Sequence, residues 1–220
     1  IAGVLGAAME WLALKPVYSR DHVYQLLLTF GFILVIEEAV RIFWGLDYKQ
    51  VPTPDLFSQP VQLFGSSIPS YRLFILGFGT FVSVVLFLAL DRSRHGMVIR
   101  AASADPEMVQ TLGIRVGRIR TGVFAFGCGL AALGGAVAAP LVPIELGMGM
   151  SIIIDCFIVV VVGGLGNIRG AVMAALLLGM TRAIGYTYAP DWVDFITYLV
   201  LIVTLMVRPE GLFSRKGRTA

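Results

Sequence analysis

Charged side chains are scarce: Asp, Glu, Lys and Arg make up only 14% of the 220 residues, roughly half the share of an ordinary soluble domain. That scarcity excludes a conventional water-facing surface, and the mean hydropathy of +0.84 points the same way. Cysteine occurs twice, as Cys128 and Cys156, each inside an apolar run, so neither a disulfide framework nor a thiolate metal site is implied. The two histidines, His22 and His95, lack Cys or carboxylate partners at metal-ligand spacing and read as interfacial. No Gly-x-x-x-x-Gly-Lys-Ser/Thr loop is present, so the chain has no means of hydrolysing ATP itself. The stretch Gly164-x-Gly166-x-x-x-Gly170 misses the dinucleotide fingerprint by one residue and follows no strand. A nucleophile elbow, a His-Glu-x-x-His pair and a paired-carboxylate arrangement are also missing. The expectation is a protein that is not an enzyme, with no catalytic residues, no metal, no bound cofactor and no nucleic-acid partner. The chain begins at Ile1 inside an apolar run, without a charged leader or a cleavage site. This predicts that one or more N-terminal helices precede it.

What is abundant is apolar sequence, 57% of residues, gathered in long runs instead of an amphipathic period. Spanning a bilayer takes roughly 20 apolar residues per helix, and several runs approach that. Residues 1–14, 23–40, 72–90, 121–141, 152–162, 171–188 and 192–207 read as about seven spans, the first truncated and the fifth short. Backbone groups in lipid must be satisfied within their own segment, which makes these runs helices. A β-barrel would show alternating segments of about ten residues, and none is seen. The fold class is therefore an all-α, polytopic transmembrane helical bundle, a single domain over residues 1–220. Residues 43–71 form a longer loop, rich in prolines and aromatics and suited to the membrane interface.

Orientation follows from the cations, because Lys and Arg collect in cytoplasmic loops. With residues 91–120 inside and every span crossing once, thirteen Lys and Arg fall inside against four outside. The tail, residues 208–220, is then cytoplasmic and the aromatic loop faces out. Small residues recur every four positions at Gly127, Ala131, Gly135 and Ala139, and again at Ala171, Ala175, Gly179 and Ala183. Such stripes allow close helix approach and read as packing seams.

The polar segment 91–120 is the most informative. Asp105 suits an N-cap, Pro106 the first helical position, Glu107 the positive end of the helix dipole, and Gly113 a C-terminal stop. A short helix over 106–112 is predicted, with a second around 98–104 before it. Met108, Val109 and Leu112 give the short helix an apolar side. Two readings are open on these residues: a helix lying on lipid headgroups, or one docked in a groove of a soluble partner.

Three stretches together resemble the permease subunits of branched-chain amino-acid ATP-binding-cassette importers, in the subgroup of the shorter of the two paired permeases. They are Arg100-Ala-Ala-Ser-Ala-Asp105-Pro106-Glu107-Met108 with Leu112-Gly113-Ile114, then Gly163-Gly164-Leu-Gly166-Asn167-Ile-Arg169-Gly170-Ala171, and then Val207-Arg208-Pro209-Glu-Gly211-Leu212-Phe213. The second departs from the family at Asn167 and Arg169, where small residues and Pro are expected. The resemblance runs along essentially the whole chain. It implies transport across a bacterial inner membrane with a second permease subunit, two cytoplasmic ATPases that use the ATP, and a periplasmic amino-acid-binding protein. It also implies that Arg100, Asp105, Pro106, Glu107, Met108, Leu112 and Gly113 belong to the ATPase-coupling loop. An amide- or urea-type importer permease is an alternative within the same class. An ATPase-independent secondary carrier or channel is the alternative outside it.

Candidates for the translocation pathway are the charges and turns inside or near spans. Asp155 stands early in the fifth span. Gly163, Gly164 and Gly166 form a sharp turn or a broken helix. Glu37, beside Glu38, sits near the outer end of the second span, and Glu145 in an outer turn. Arg182, Asp191 and Asp194 are expected to make a local ion pair around the last outer turn.

Overall fold

The computed structural model describes residues 1–18, 22–57, 60–63, 66–164, 166–208 and 211. Among these, the α-helices are α1 (Ala2–Met9), α2 (His22–Trp44), α3 (Ser70–Arg92), α4 (Arg94–Ala104), α5 (Pro106–Thr111), α6 (Val116–Ala138), α7 (Met148–Gly163), α8 (Ile168–Tyr188) and α9 (Val193–Val207). Seven of them lie where spans are expected, and α4 and α5 occupy the polar segment. The stretches Ser70–Arg92, Val116–Ala138, Arg169–Tyr188 and Pro190–Val207 are long and apolar enough to cross a bilayer. Helix α7, with 16 residues, is about 24 Å long at 1.5 Å per residue, short of the roughly 30 Å hydrocarbon core.

Helix boundaries depart from the apolar runs for identifiable reasons. Helix α6 starts at Val116, five residues before its run, because Arg118 and Arg120 are good helix formers and no proline interrupts them. It ends at Ala138, short of 141, because Pro140 cannot continue the backbone ladder. Within the 43–71 loop, Pro60–Leu63 pairs antiparallel with Ser66–Pro69. Both outer ends of this ribbon are prolines, which are tolerated at strand termini and edges.

The chain divides into two compact units, Ile1–Leu146 and Gly147–Ala220. In the first, α1 lies along α6. The approach is close: a methyl group at Gly6 would stand 2.6 Å from Cys128 Sγ, and one at Gly3 would stand 3.0 Å from the Ala125 carbonyl oxygen. Farther along, Tyr71 at the start of α3 donates a 2.9 Å hydrogen bond to the Val137 carbonyl, and the Phe57 and Phe74 rings lie tilted with centroids 4.8 Å apart. The aromatic loop is thus tied to the ends of α3 and α6. In the second unit, Ile158 and Val162 of α7 pack against Ala174 and Leu178 of α8, with Val200 and Leu201 of α9 alongside.

The small-residue stripes are not the seams used inside either unit. Gly127, Ala131 and Gly135 are exposed on α6, and α1 instead meets Ala125, Cys128 and Gly129. On α8, Ala175, Gly179 and Ala183 are exposed while Ala174 and Leu178 are buried. A stripe marks where a backbone could approach; which face is chosen depends on the larger apolar residues that must be covered.

Candidate functional site

The turn from α3 into the polar segment is built by local hydrogen bonding. Ser93 Oγ accepts from the Gly96 amide at 3.0 Å and caps α4. Arg100 reaches back from α4 to the Leu90 carbonyl and to Asp91 Oδ1, the latter at 3.2 Å. Arg100 therefore holds the α3–α4 corner. Helix α5 begins as its residues require: Asp105 Oδ1 accepts from the Met108 amide at 2.9 Å, Pro106 takes the first position, and Glu107 lies in the first turn. It stops at Gly113, whose φ of +79° is the left-handed conformation that glycine adopts without a Cβ penalty.

The apolar side of α5 is split. Val109 is buried at 4% exposure, at the corner where α5 packs on α4 and α6, and Val116 is the buried residue of α6. Met108 and Leu112, one turn apart, are 64% and 71% exposed. One face thus anchors α5 to its own chain, and the other presents two large apolar side chains outward.

Sequence reasoning passed over Glu10. Among the described residues it is the only charged side chain that is buried, at 1% exposure. It opens a π-helical turn, Glu10–Leu14, that continues α1, and Thr121 Oγ1 of α6 donates to its carboxylate. Tyr18 joins the cluster with the Arg120 guanidinium 4.3 Å above its ring. The Tyr18 hydroxyl has its pKa raised, first by burial and then by the Glu10 carboxylate, with Arg120 acting in the opposite sense. The available signal was a lone carboxylate inside an apolar run, which is costly without a partner.

The proposed pathway residues separate. Asp155 is not a lone carboxylate: Arg182 donates to it through both terminal nitrogens at 2.6 Å, a bidentate pair between α7 and α8. The expected local pair of Arg182 with Asp191 and Asp194 is therefore secondary, Asp194 standing 3.9 Å away. A planar guanidinium favours the partner that offers two parallel bonds. Glu37 is half-buried on α2, while Glu38 is exposed and pairs with Arg41 at 3.3 Å.

Gly163 and Gly164 are buried and Gly166 is exposed. Here the chain makes a sharp turn between two continuous helices. A Cβ on Gly163 would lie 2.5 Å from the Ala171 amide nitrogen, and one on Gly170 would collide with the Gly163 carbonyl. Asn167 explains its own presence, since Oδ1 accepts from the Gly170 amide at 3.2 Å and caps α8. Gly211, from the C-terminal motif, packs against Gly164 so closely that a Cβ on Gly211 would lie 2.4 Å from Gly164 Cα. Two of the three distinctive stretches therefore meet; residues 209–210 and 212–220 of the tail lie outside the described residues.

The family described as branched-chain amino acid transport system / permease component matches residues 1–205. The high-affinity branched-chain amino acid transport system permease protein BraD of Pseudomonas aeruginosa is 29% identical, over 98% of this chain and 72% of its own length. The proteins LivH of Escherichia coli and of Salmonella typhimurium, with the same description, are each 27% identical over 98% of this chain and 71% of theirs. No solved structure matches the chain. With its apolar helices and a family match along nearly its whole length, this multi-pass membrane protein belongs to the branched-chain amino acid transport system permease family.

Proposed function

We propose that residues 1–220 act as one permease domain of an ATP-binding-cassette importer, carrying branched-chain or other hydrophobic amino acids across the bacterial inner membrane. The observation that carries this reading is α5, a capped helix anchored by Val109 that turns Met108 and Leu112 outward. Two exposed apolar side chains one turn apart suit a groove in a soluble partner. The partners are two cytoplasmic ATPases, which bind and use the ATP, together with a second permease subunit and a periplasmic amino-acid-binding protein. This chain has no catalytic role.

The excess of Lys and Arg in residues 91–120 and in the tail supports a cytoplasmic α5 and a cytoplasmic C-terminus. The exposed stripes on α6 and α8, with the apolar window of α3 in which no residue is buried, offer surface for lipid and for the second permease. ATP binding in the ATPases would shift α5, and with it α4 and α6, which pack on it.

Affinity purification of the full-length protein with its ATPases tests the docking step. The Met108→Asp, Leu112→Asp double variant should lose the ATPases while keeping the wild-type melting temperature, because both side chains are exposed. Equal retention of the ATPases by variant and wild type would place the docking site elsewhere.

A further inference from the structure

The second unit brings together one charge from each of its three helices. Asp155 lies in the first half of α7, Arg182 in the last two turns of α8, and Asp194 in the first turn of α9. Arg182 holds Asp155 through two 2.6 Å hydrogen bonds and stands 3.9 Å from Asp194. Two carboxylates thus face one guanidinium, leaving an excess negative charge. Arg182 Nε is buried, so the donors left for a solute are the second N–H groups of the two terminal nitrogens, each of which gives one bond to Asp155. The pair remains reachable, with side chains 28% and 39% exposed, and Asp194 is open at 73%.

Charges are a poor means of holding α7 to α8. Apolar residues of similar volume hold two helices as well or better, and these helices already share the core of Ile158, Val162, Ala174 and Leu178. Ionisable side chains set among apolar helical residues mark the route of a polar solute. The solute that fits must bring a cation for the surplus carboxylate and an anion for the remaining N–H groups of the terminal guanidinium nitrogens. An α-amino acid brings both, on adjacent atoms.

We propose that Asp155, Arg182 and Asp194 form a station for the amino-acid zwitterion, its carboxylate taken by Arg182 and its ammonium by Asp155 and Asp194. The station rests on the amino-acid importer reading and extends it to named residues. In the orientation proposed above it runs from the middle of α7 to the outward ends of α8 and α9, on the path of an incoming solute. It reads the groups common to all amino acids and leaves side-chain selection to other parts of the system.

The test is ATP-driven leucine uptake by proteoliposomes holding the full complex with saturating leucine-loaded binding protein, with ATP hydrolysis measured in parallel. Asp155→Asn, Arg182→Gln replaces the ion pair by a neutral amide pair of similar shape. Its uptake should fall at least tenfold while the loaded binding protein still stimulates hydrolysis. Asp194→Asn leaves the Asp155–Arg182 pair intact and should lower uptake per ATP several-fold; it decides the matter if the double variant fails to assemble. Uptake within twofold of wild type in Asp194→Asn, or uptake and hydrolysis falling in equal proportion, would overturn the station in favour of a helix clamp. If the wild-type complex moves another solute but no leucine or other hydrophobic amino acid, the importer's substrate reading fails first and the station with it.

Discussion

Glu10 depends on neighbours that the apolar run around it cannot supply. Its carboxylate is buried at 1% exposure, so the Thr121 hydroxyl, with Tyr18 and Arg120 nearby, stands in for water. Truncating it leaves a dry gap and removes an acceptor. Glu10→Ala should cost about 1–3 kcal/mol, seen as a lower melting temperature in detergent, whereas Glu10→Gln keeps an acceptor and should recover most of the loss. Equal melting of Glu10→Ala and wild type would show that the cluster does not hold α1 to α6. Asn167 is a second residue whose role is local. Removing its cap with Asn167→Ala should cost about 1 kcal/mol, and Asn167→Asp should keep the cap. Neither role was fully legible beforehand: Thr121 and Arg120 lie more than a hundred residues from Glu10, and Asn167 stood out only as a departure from a resemblance. The Asp155–Arg182 pair was half legible, since both charges stand out inside apolar runs but the run order does not say which carboxylate a guanidinium takes.

At the scale of elements, the sequence was most informative where backbone chemistry is local. Asp105, Pro106, Glu107 and Gly113 mark the start and stop of α5, and the helix lies where they put it. Which apolar residues of α5 turn inward was not readable, because six residues fix no face until α4 and α6 pack against them. The glycine-rich turn shows the same division. A bend at 163–170 is evident from composition, but the contact of Gly170 with the Gly163 carbonyl is a tertiary fact. It supplies a sharp comparison within α8. Gly170→Ala forces a backbone clash and should cost about 1–3 kcal/mol or more. Gly179→Ala meets nothing within 4 Å and should be neutral, or stabilising by up to about 1 kcal/mol. Thermal unfolding of the two variants measures the difference; equal effects would contradict the packed turn.

For the whole molecule, composition and run length were enough to give an all-α membrane bundle, because lipid leaves the backbone few choices. They could not give the ribbon at Pro60–Leu63 and Ser66–Pro69, which is set by loop contacts and has no strong alternating pattern of its own. The sidedness proposed from Lys and Arg makes a direct prediction. In a background with Cys128 and Cys156 replaced, an impermeant maleimide should label a cysteine at Glu107 only from the cytoplasmic side and one at Asp55 only from the outside. Reversed labelling would invert the topology. The central claim, an importer driven through α5, is tested most directly by leucine uptake into proteoliposomes containing this permease, its second permease, both ATPases and the binding protein. The account predicts uptake that requires ATP and the binding protein and is abolished by Met108→Asp, Leu112→Asp. Uptake that proceeds without the ATPases, or persists in that variant, would contradict it and favour a secondary carrier.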